Sequence, residues 1–225
     1  MSRRRSVGLR LAERVALRLI DGMSKAFLGF VPPVNEEAVR TLGVRGYFRW
    51  STSTGKVMKT LADGLGEAES QLVIGFAGLW LGCGYCGAGH IHAGNLILFR
   101  DEGVLTPLSD EVIDELYETP DERAEGRLRE LLSEPRYARI LALVLRVYQL
   151  RAGAEPSGAD DDYIALALTC WDWVTECTIV EGLEMRPATV PPLTPLAKNM
   201  ALRERYAAAR AAEAVERDPG EGDAG

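Results

Sequence analysis

Apolar positions recur along most of this chain at spacings of three and four residues, in stretches separated by proline, glycine or acidic caps, and each stretch reads as a helix. Leu11, Val15 and Leu19 are four apart with arginines between them, which predicts an amphipathic helix within residues 1–31 that Pro32-Pro33 ends. Asn35-Glu36-Glu37 then reads as a cap with acids in the following first turn. Residues 43–55 hold Gly43, Gly46 and Gly55 around Tyr47, Phe48 and Trp50, with a Ser/Thr cluster after them, and predict an irregular link.

The helical pattern resumes over residues 56–82, with a break near Gly64 and Gly66, and Gly82 marks the junction to a helix over 83–99. The apolar run Asn95-Leu96-Ile97-Leu98-Phe99 belongs to that helix by position, although in isolation it would suit a strand. Ser109-Asp110 caps the next helix, Pro120-Asp121-Glu122 starts another, and Ser133-Glu134-Pro135 introduces the apolar run 137–150. After a turn at 153–158, three aspartates at 160–162 cap a helix over 163–180. Pro187, Pro191, Pro192 and Pro195 force an extended segment, and a last helix spans 196–215. No stretch alternates with period two, so the fold class is all-α, with residues 32–215 as one helical domain. The blocks 71–99 and 137–180 each predict a helical hairpin and admit a weak internal duplication. Residues 216–225 contain Asp, Glu, Gly and Pro and predict a disordered acidic tail.

Composition narrows the setting. With 225 residues, 47% of them hydrophobic, the chain can bury one sizeable core. A net charge of −7 argues against general nucleic-acid binding, and no apolar run reaches the length of a membrane span. Four cysteines are too few for a disulfide-stapled scaffold of this size, which favours a cytoplasmic protein. Charge is unevenly placed: Arg3, Arg4, Arg5, Arg10, Arg14 and Arg18 face one acid, Glu13, in the first twenty residues. Such a segment suits an anionic membrane surface, an organelle-targeting helix or a first helix packed on the core. It lacks the apolar run of a secretory or twin-arginine signal.

The most specific chemistry lies in Cys83-Gly84-Tyr85-Cys86-Gly87-Ala88-Gly89-His90. On a helix, residues three and four apart are neighbours, so Cys83, Cys86 and His90 share a face. A thiol beside an imidazole and near a helix start ionises more readily, and a second thiol can close a disulfide and complete a redox cycle. A zinc site fits less well. Cys170 and Cys177 lie seven apart on a predicted helix, roughly 10 Å along its axis, too far to ligate one ion together. They read as small apolar groups in a buried helix beside Trp171 and Trp173. His90 and His92 point to different sides of their helix, and His92 reads as a histidine bonding across an interface. Trp80 and Tyr85 are candidates for pocket walls or core packing.

The spacing Cys83-x-x-Cys86-x-x-x-His90, preceded by the apolar run from Gln71 to Gly82, resembles the core of the AhpD-like alkylhydroperoxidase and carboxymuconolactone decarboxylase superfamily, over about thirty residues. The resemblance implies an AhpD-like helical bundle that assembles as a trimer or larger homo-oligomer. It implies a dithiol that reduces hydroperoxides, or relays electrons to a peroxiredoxin partner, with no cofactor beyond an external dithiol reductant. It also implies roles: Cys86 activated by His90, and Cys83 closing the disulfide or exchanging with an outside thiol. One departure bears on the chemistry. Redox members of the family carry a glutamate twelve residues before the first cysteine, and this chain has Gln71, whose carboxamide cannot accept a proton at neutral pH. Glu67, one turn or about 6 Å earlier on the same face, is the carboxylate placed to substitute through water; Glu69 is on the opposite face. A cofactor-free lyase on the same scaffold, or a redox-sensing or membrane-surface adaptor, are the alternative functions.

Overall fold

Residues 11–119, 121–178 and 187–217 are described by a computed structural model. Among them are nine α-helices, three short 3-10 turns and no strand. The helices are α1 (Leu11–Leu28), α2 (Val34–Leu65), α3 (Glu67–Trp80), α4 (Gly84–Glu102), α5 (Asp110–Glu118), α6 (Asp121–Leu131), α7 (Ala138–Arg151), α8 (Ala159–Thr178) and α9 (Met200–Arg217). No helix among the described residues is long and apolar enough to cross a membrane. Residues 1–10, Pro120, 179–186 and most of the acidic tail, 218–225, lie outside the described residues, as do the expectations that fall on them.

α3 is the centre of the bundle. Eleven of its fourteen residues are buried, so it is enclosed on every side rather than amphipathic. It packs against α2, α4, α7 and α8. Its contact with α4 is close because both helices give up side chains where they cross. A Cβ on Gly75 would lie 2.6 Å from Ile91 Cγ1 and 2.8 Å from the Ile91 backbone nitrogen, and one on Gly87 would lie 2.8 Å from Leu79 Cβ. Gly94 meets Leu72 in the same way. Small residues at the crossing let the two backbones approach, and the flanking Leu72, Val73, Ile74, Phe76 and Ile91 gain dense packing in return.

The turn between α3 and α4 is set by Gly82, at φ 86°. The Gly82 N–H bonds Leu79 O (3.2 Å) and the Cys83 N–H bonds Gly78 O (2.9 Å), the Schellman pattern that closes a helix with a left-handed residue. The expected junction glycine therefore ends α3 and delivers Cys83 directly to the start of α4.

Two local expectations give way. Residues 43–55 are not an irregular link; α2 runs through them, and only Gly43 leaves helical angles, as a kink at φ 68° and ψ 168°. The aromatic residues decide this, since Tyr47 is buried and, with Trp50, packs towards α1. Tertiary burial outweighs the weak helix propensity of Gly, Ser and Thr. Nor does Asn35 cap α2. It is buried in the first turn, donates to Asp21 Oδ1 (3.0 Å) and Ser24 Oγ (3.1 Å) of α1, and accepts from Tyr47 Oη (3.0 Å). It joins two helices rather than starting one.

Other boundaries follow the sequence. Gly66, at φ 104°, separates α2 from α3, while Gly64 stays helical beneath the ring of Tyr163. Ser109 Oγ accepts from Val112 N–H at the start of α5. At the α7–α8 turn, Asp161 reaches back to the Ser157 and Gly158 amides and takes a two-point bond from Arg146, which holds its carboxyl well below the usual range. The blocks 71–99 and 137–180 are each built around a helix pair packed on itself, α3–α4 and α7–α8. The proline-rich segment is less extended than expected, with 3-10 turns at Pro187–Thr189 and Pro195–Lys198, and α9 starts only at Met200. That segment lies across α4: Leu193 N–H bonds Gly89 O at 2.8 Å, and its side chain occupies the space a Cβ on Gly89 would need.

Candidate functional site

The α3–α4 junction places the cysteines. Cys83 is the N-cap of α4, and its sulfur accepts the Cys86 N–H at 3.3 Å, one of the four amide groups that a helix start leaves without internal partners. Cys83 and Cys86 are joined as a disulfide with Cα atoms 5.3 Å apart. Their exposures differ: Cys86 is 6% exposed, whereas Cys83 is half-buried. A thiolate at the N-cap would sit against the positive end of the helix dipole, which favours its ionised form.

His90 lies one turn beyond Cys86 and is buried. Its Nδ1 is 2.7 Å from Gln71 Oε1 of α3. A carboxamide oxygen can only accept, so Nδ1 carries the hydrogen and Nε2 keeps its lone pair. Burial away from water pushes the imidazolium down to about pKa 3, so the ring is neutral at physiological pH. The His90 and Trp171 rings stand nearly perpendicular, edge to face, with centroids 5.3 Å apart. Gly78 leaves room for this arrangement: a Cβ there would lie 3.1 Å from Cys86 Cβ and 3.3 Å from Trp171 Cδ1.

Of the residues singled out by sequence, Cys83, Cys86, His90 and Gln71 are gathered at the α3–α4 crossing. Glu67 is not. Its carboxylate pairs with Arg100 Nη2 at 2.9 Å and is 53% exposed, at the far end of α3 from the cysteines. His92 bonds the Val190 carbonyl through Nδ1 (2.8 Å), and its Nε2 lies 2.9 Å from Asp110 Oδ1, a contact that keeps the Asp110 carboxyl below its usual range. Its Nδ1 therefore ties α4 to the proline-rich segment. Trp80 packs among Phe76 and Tyr148 in the core, and Tyr85 is equally buried. Cys170 and Cys177 are buried, and burial pushes the Cys170 thiol up. Trp173, expected beside them in the interior, is 38% exposed.

Trp171 is the participant the sequence did not single out. It is 81 positions from His90 and reaches it only because α8 packs on α3, so no local pattern announces the contact. Trp171 Nε1 and Tyr85 Oη are buried without a protein partner. Among the described residues no group of three or more His, Cys, Asp or Glu side chains is arranged to hold a metal. A small cleft lined by Leu79, Gly84, Ile113, Tyr117 and Pro187 borders the first turn of α4 and offers about 10 Å³, room for about one water.

The arrangement can therefore do three things chemically. It can form and break a sulfur–sulfur bond, favour a thiolate at a helix N-terminus, and offer a neutral, oriented imidazole as proton acceptor. No family model, curated protein or solved structure matches the chain.

Proposed function

We propose that Cys83 and Cys86 form a redox-active dithiol that reduces hydroperoxides, or exchanges with a dithiol partner protein, in the manner of the alkylhydroperoxidases that the motif resembles. One observation carries this reading: the pair closes at the N-terminus of α4, one turn from an imidazole that Gln71 holds in a single tautomer. A pair serving stability alone has no use for an oriented histidine.

In the reduced protein, the Cys86 thiol gives its proton to His90 Nε2, and the thiolate attacks the terminal oxygen of ROOH. The O–O bond breaks, ROH leaves with the proton from His90, and Cys86 becomes a sulfenic acid. Cys83 sulfur then attacks the Cys86 sulfur, water departs, and the disulfide forms. An external dithiol restores both thiols by supplying two electrons and two protons, entering at the more exposed Cys83. Trp171 Nε1, buried without a protein partner beside the His90 ring, is a donor available to a peroxide oxygen.

Gln71 sets the limit on this chemistry. It orients His90 but supplies no negative charge, so nothing offsets the cost of an imidazolium in a dry site. His90 is a weak base here, and proton transfer limits the rate.

The test is consumption of cumene hydroperoxide with dithiothreitol as reductant. Turnover is expected that Cys83→Ser and Cys86→Ser each abolish, and that Gln71→Glu raises about tenfold or more, within the range general base catalysis commands. Peroxide loss no faster than in the cysteine variants overturns the peroxidase reading. A redox-sensing role is the second reading, favoured by the burial of Cys86 and His90. It is distinguished by a dithiol that equilibrates with a glutathione couple and changes the Trp171 fluorescence without peroxide turnover.

A further inference from the structure

α1 has three distinct sides. One is committed to the fold: Ile20 is buried with Leu17 against Val39 and Tyr47 of α2. A second is apolar and uncovered. Leu11, Val15, Leu19, Met23 and Phe27 recur every four residues and are 53% to 74% exposed. Ala12, Gly22 and Ala26 lie between them and are exposed as well. The third side carries Arg14, Arg18 and Lys25, all exposed, along the border of the apolar face.

A soluble protein seldom leaves so many large apolar side chains together on one helix, and such a face marks an interaction surface. The charge pattern says what covers it. Residues 1–31 contain seven Lys or Arg and two acids, within a chain whose net charge is −7. Of these, Arg14, Arg18 and Lys25 are described, and they border the exposed apolar face of α1.

We propose that α1 lies in the interface of an anionic lipid bilayer, its Leu11–Phe27 face among the acyl chains and its arginines and lysine at the phosphates. Amphipathic helices with Leu and Phe on one side and Lys or Arg at the border bind membranes in this way. The helix lies in the plane, since no described helix can cross a membrane.

The shape of the face separates this occupant from a second copy of the chain. Each four-residue step turns the helix by about 40°, so the side chains from Leu11 to Phe27 sweep about 160° around the axis. A coiled-coil seam is narrower and follows heptad positions. An antiparallel self-pairing would also set the Arg14, Arg18 and Lys25 border against its own copy, at a repulsive cost. A lipid surface accepts a broad arc and rewards the same charges.

The experiment is co-sedimentation of the full chain with vesicles of phosphatidylcholine alone and of phosphatidylcholine with about one third phosphatidylglycerol. Binding is expected to the anionic vesicles and to weaken with salt. Leu19→Glu or Phe27→Glu should reduce it at least tenfold, and Arg14→Gln or Arg18→Gln about fivefold each. These side chains are exposed, so an unchanged circular dichroism melt is expected for each variant, and peroxide turnover should match the parent. No binding to anionic vesicles at low salt, or binding indifferent to Leu19→Glu and Phe27→Glu, overturns the proposal. So does concentration-dependent self-association that Leu19→Glu abolishes in a chain that ignores vesicles, which assigns the face to a second copy.

Discussion

α3 and α1 both owe their helical form to a run of apolar residues, yet the chain uses them in opposite ways. α3 is enclosed on all sides and meets α4 so closely that glycines replace side chains at the crossing. α1 buries little more than Ile20 and Leu17 and turns its largest side chains outward. Hydrophobicity alone therefore does not say where a helix sits. The small residues do: Gly75, Gly78, Gly87 and Gly94 bring two backbones together, while Gly22 of α1 has nothing within 4 Å of where its Cβ would be.

Matched substitutions break or sharpen that contrast. The largest effect is expected from Leu72→Ala, which removes a fully buried side chain between α3 and α4 and should lower stability by about 3 kcal/mol in urea unfolding. Leu19→Ala, the same deletion on α1, should change it by less than about 0.5 kcal/mol. Similar losses at both sites would mean that the α1 face is covered within the chain.

Gly75→Ala comes next. Its Cβ would press on Ile91 at both side chain and backbone, so a loss of about 2 kcal/mol is expected, despite the better helix propensity of alanine. An unchanged unfolding midpoint would show that the helices can separate without cost.

A third expectation concerns pH. The native His90 is held down to about pKa 3, whereas the unfolded chain protonates it near 6.5. Below 6.5 the unfolded state binds a proton that the native state refuses, so stability present at neutral pH is lost progressively as pH falls, until about pH 3. Between pH 7 and 5.5 this amounts to roughly 1 kcal/mol. The slope should be smaller in His90→Asn. The same urea midpoint difference in both proteins would place His90 in contact with water.

A gain, smaller than the losses at Leu72 and Gly75, is expected at Gly22→Ala, in open space on a helix. It should raise the midpoint by the equivalent of about 0.5 to 1 kcal/mol, the usual gain for replacing a mid-helix glycine.

Much of the architecture was legible in the sequence because its signals are local. Gly82 and Gly66 adopt the positive φ their helix boundaries demand, Ser109 caps α5, and the aspartates at 160–162 lie in the first turn of α8. The Cys83, Cys86 and His90 cluster is equally local, since helical periodicity puts the three on one face. The failures are places where a distant partner outweighed local preference. Three glycines and a Ser/Thr cluster read as an irregular link, but Tyr47 and Asn35 lock that stretch to α1. Glu67 is a separate case: its carboxylate pairs with Arg100, a contact between helices that spacing along α3 does not announce.

The sequence by itself determined an all-helical chain, the start and stop of most helices, and a dithiol with a histidine one turn away, because these depend on spacing along a single helix. Tertiary structure alone decided that Gln71 grips His90, that Trp171 packs against the ring, and that α1 turns its apolar face to the outside. Each of those depends on which helices pack together, and that is settled by burial and close backbone approach between residues far apart in the chain.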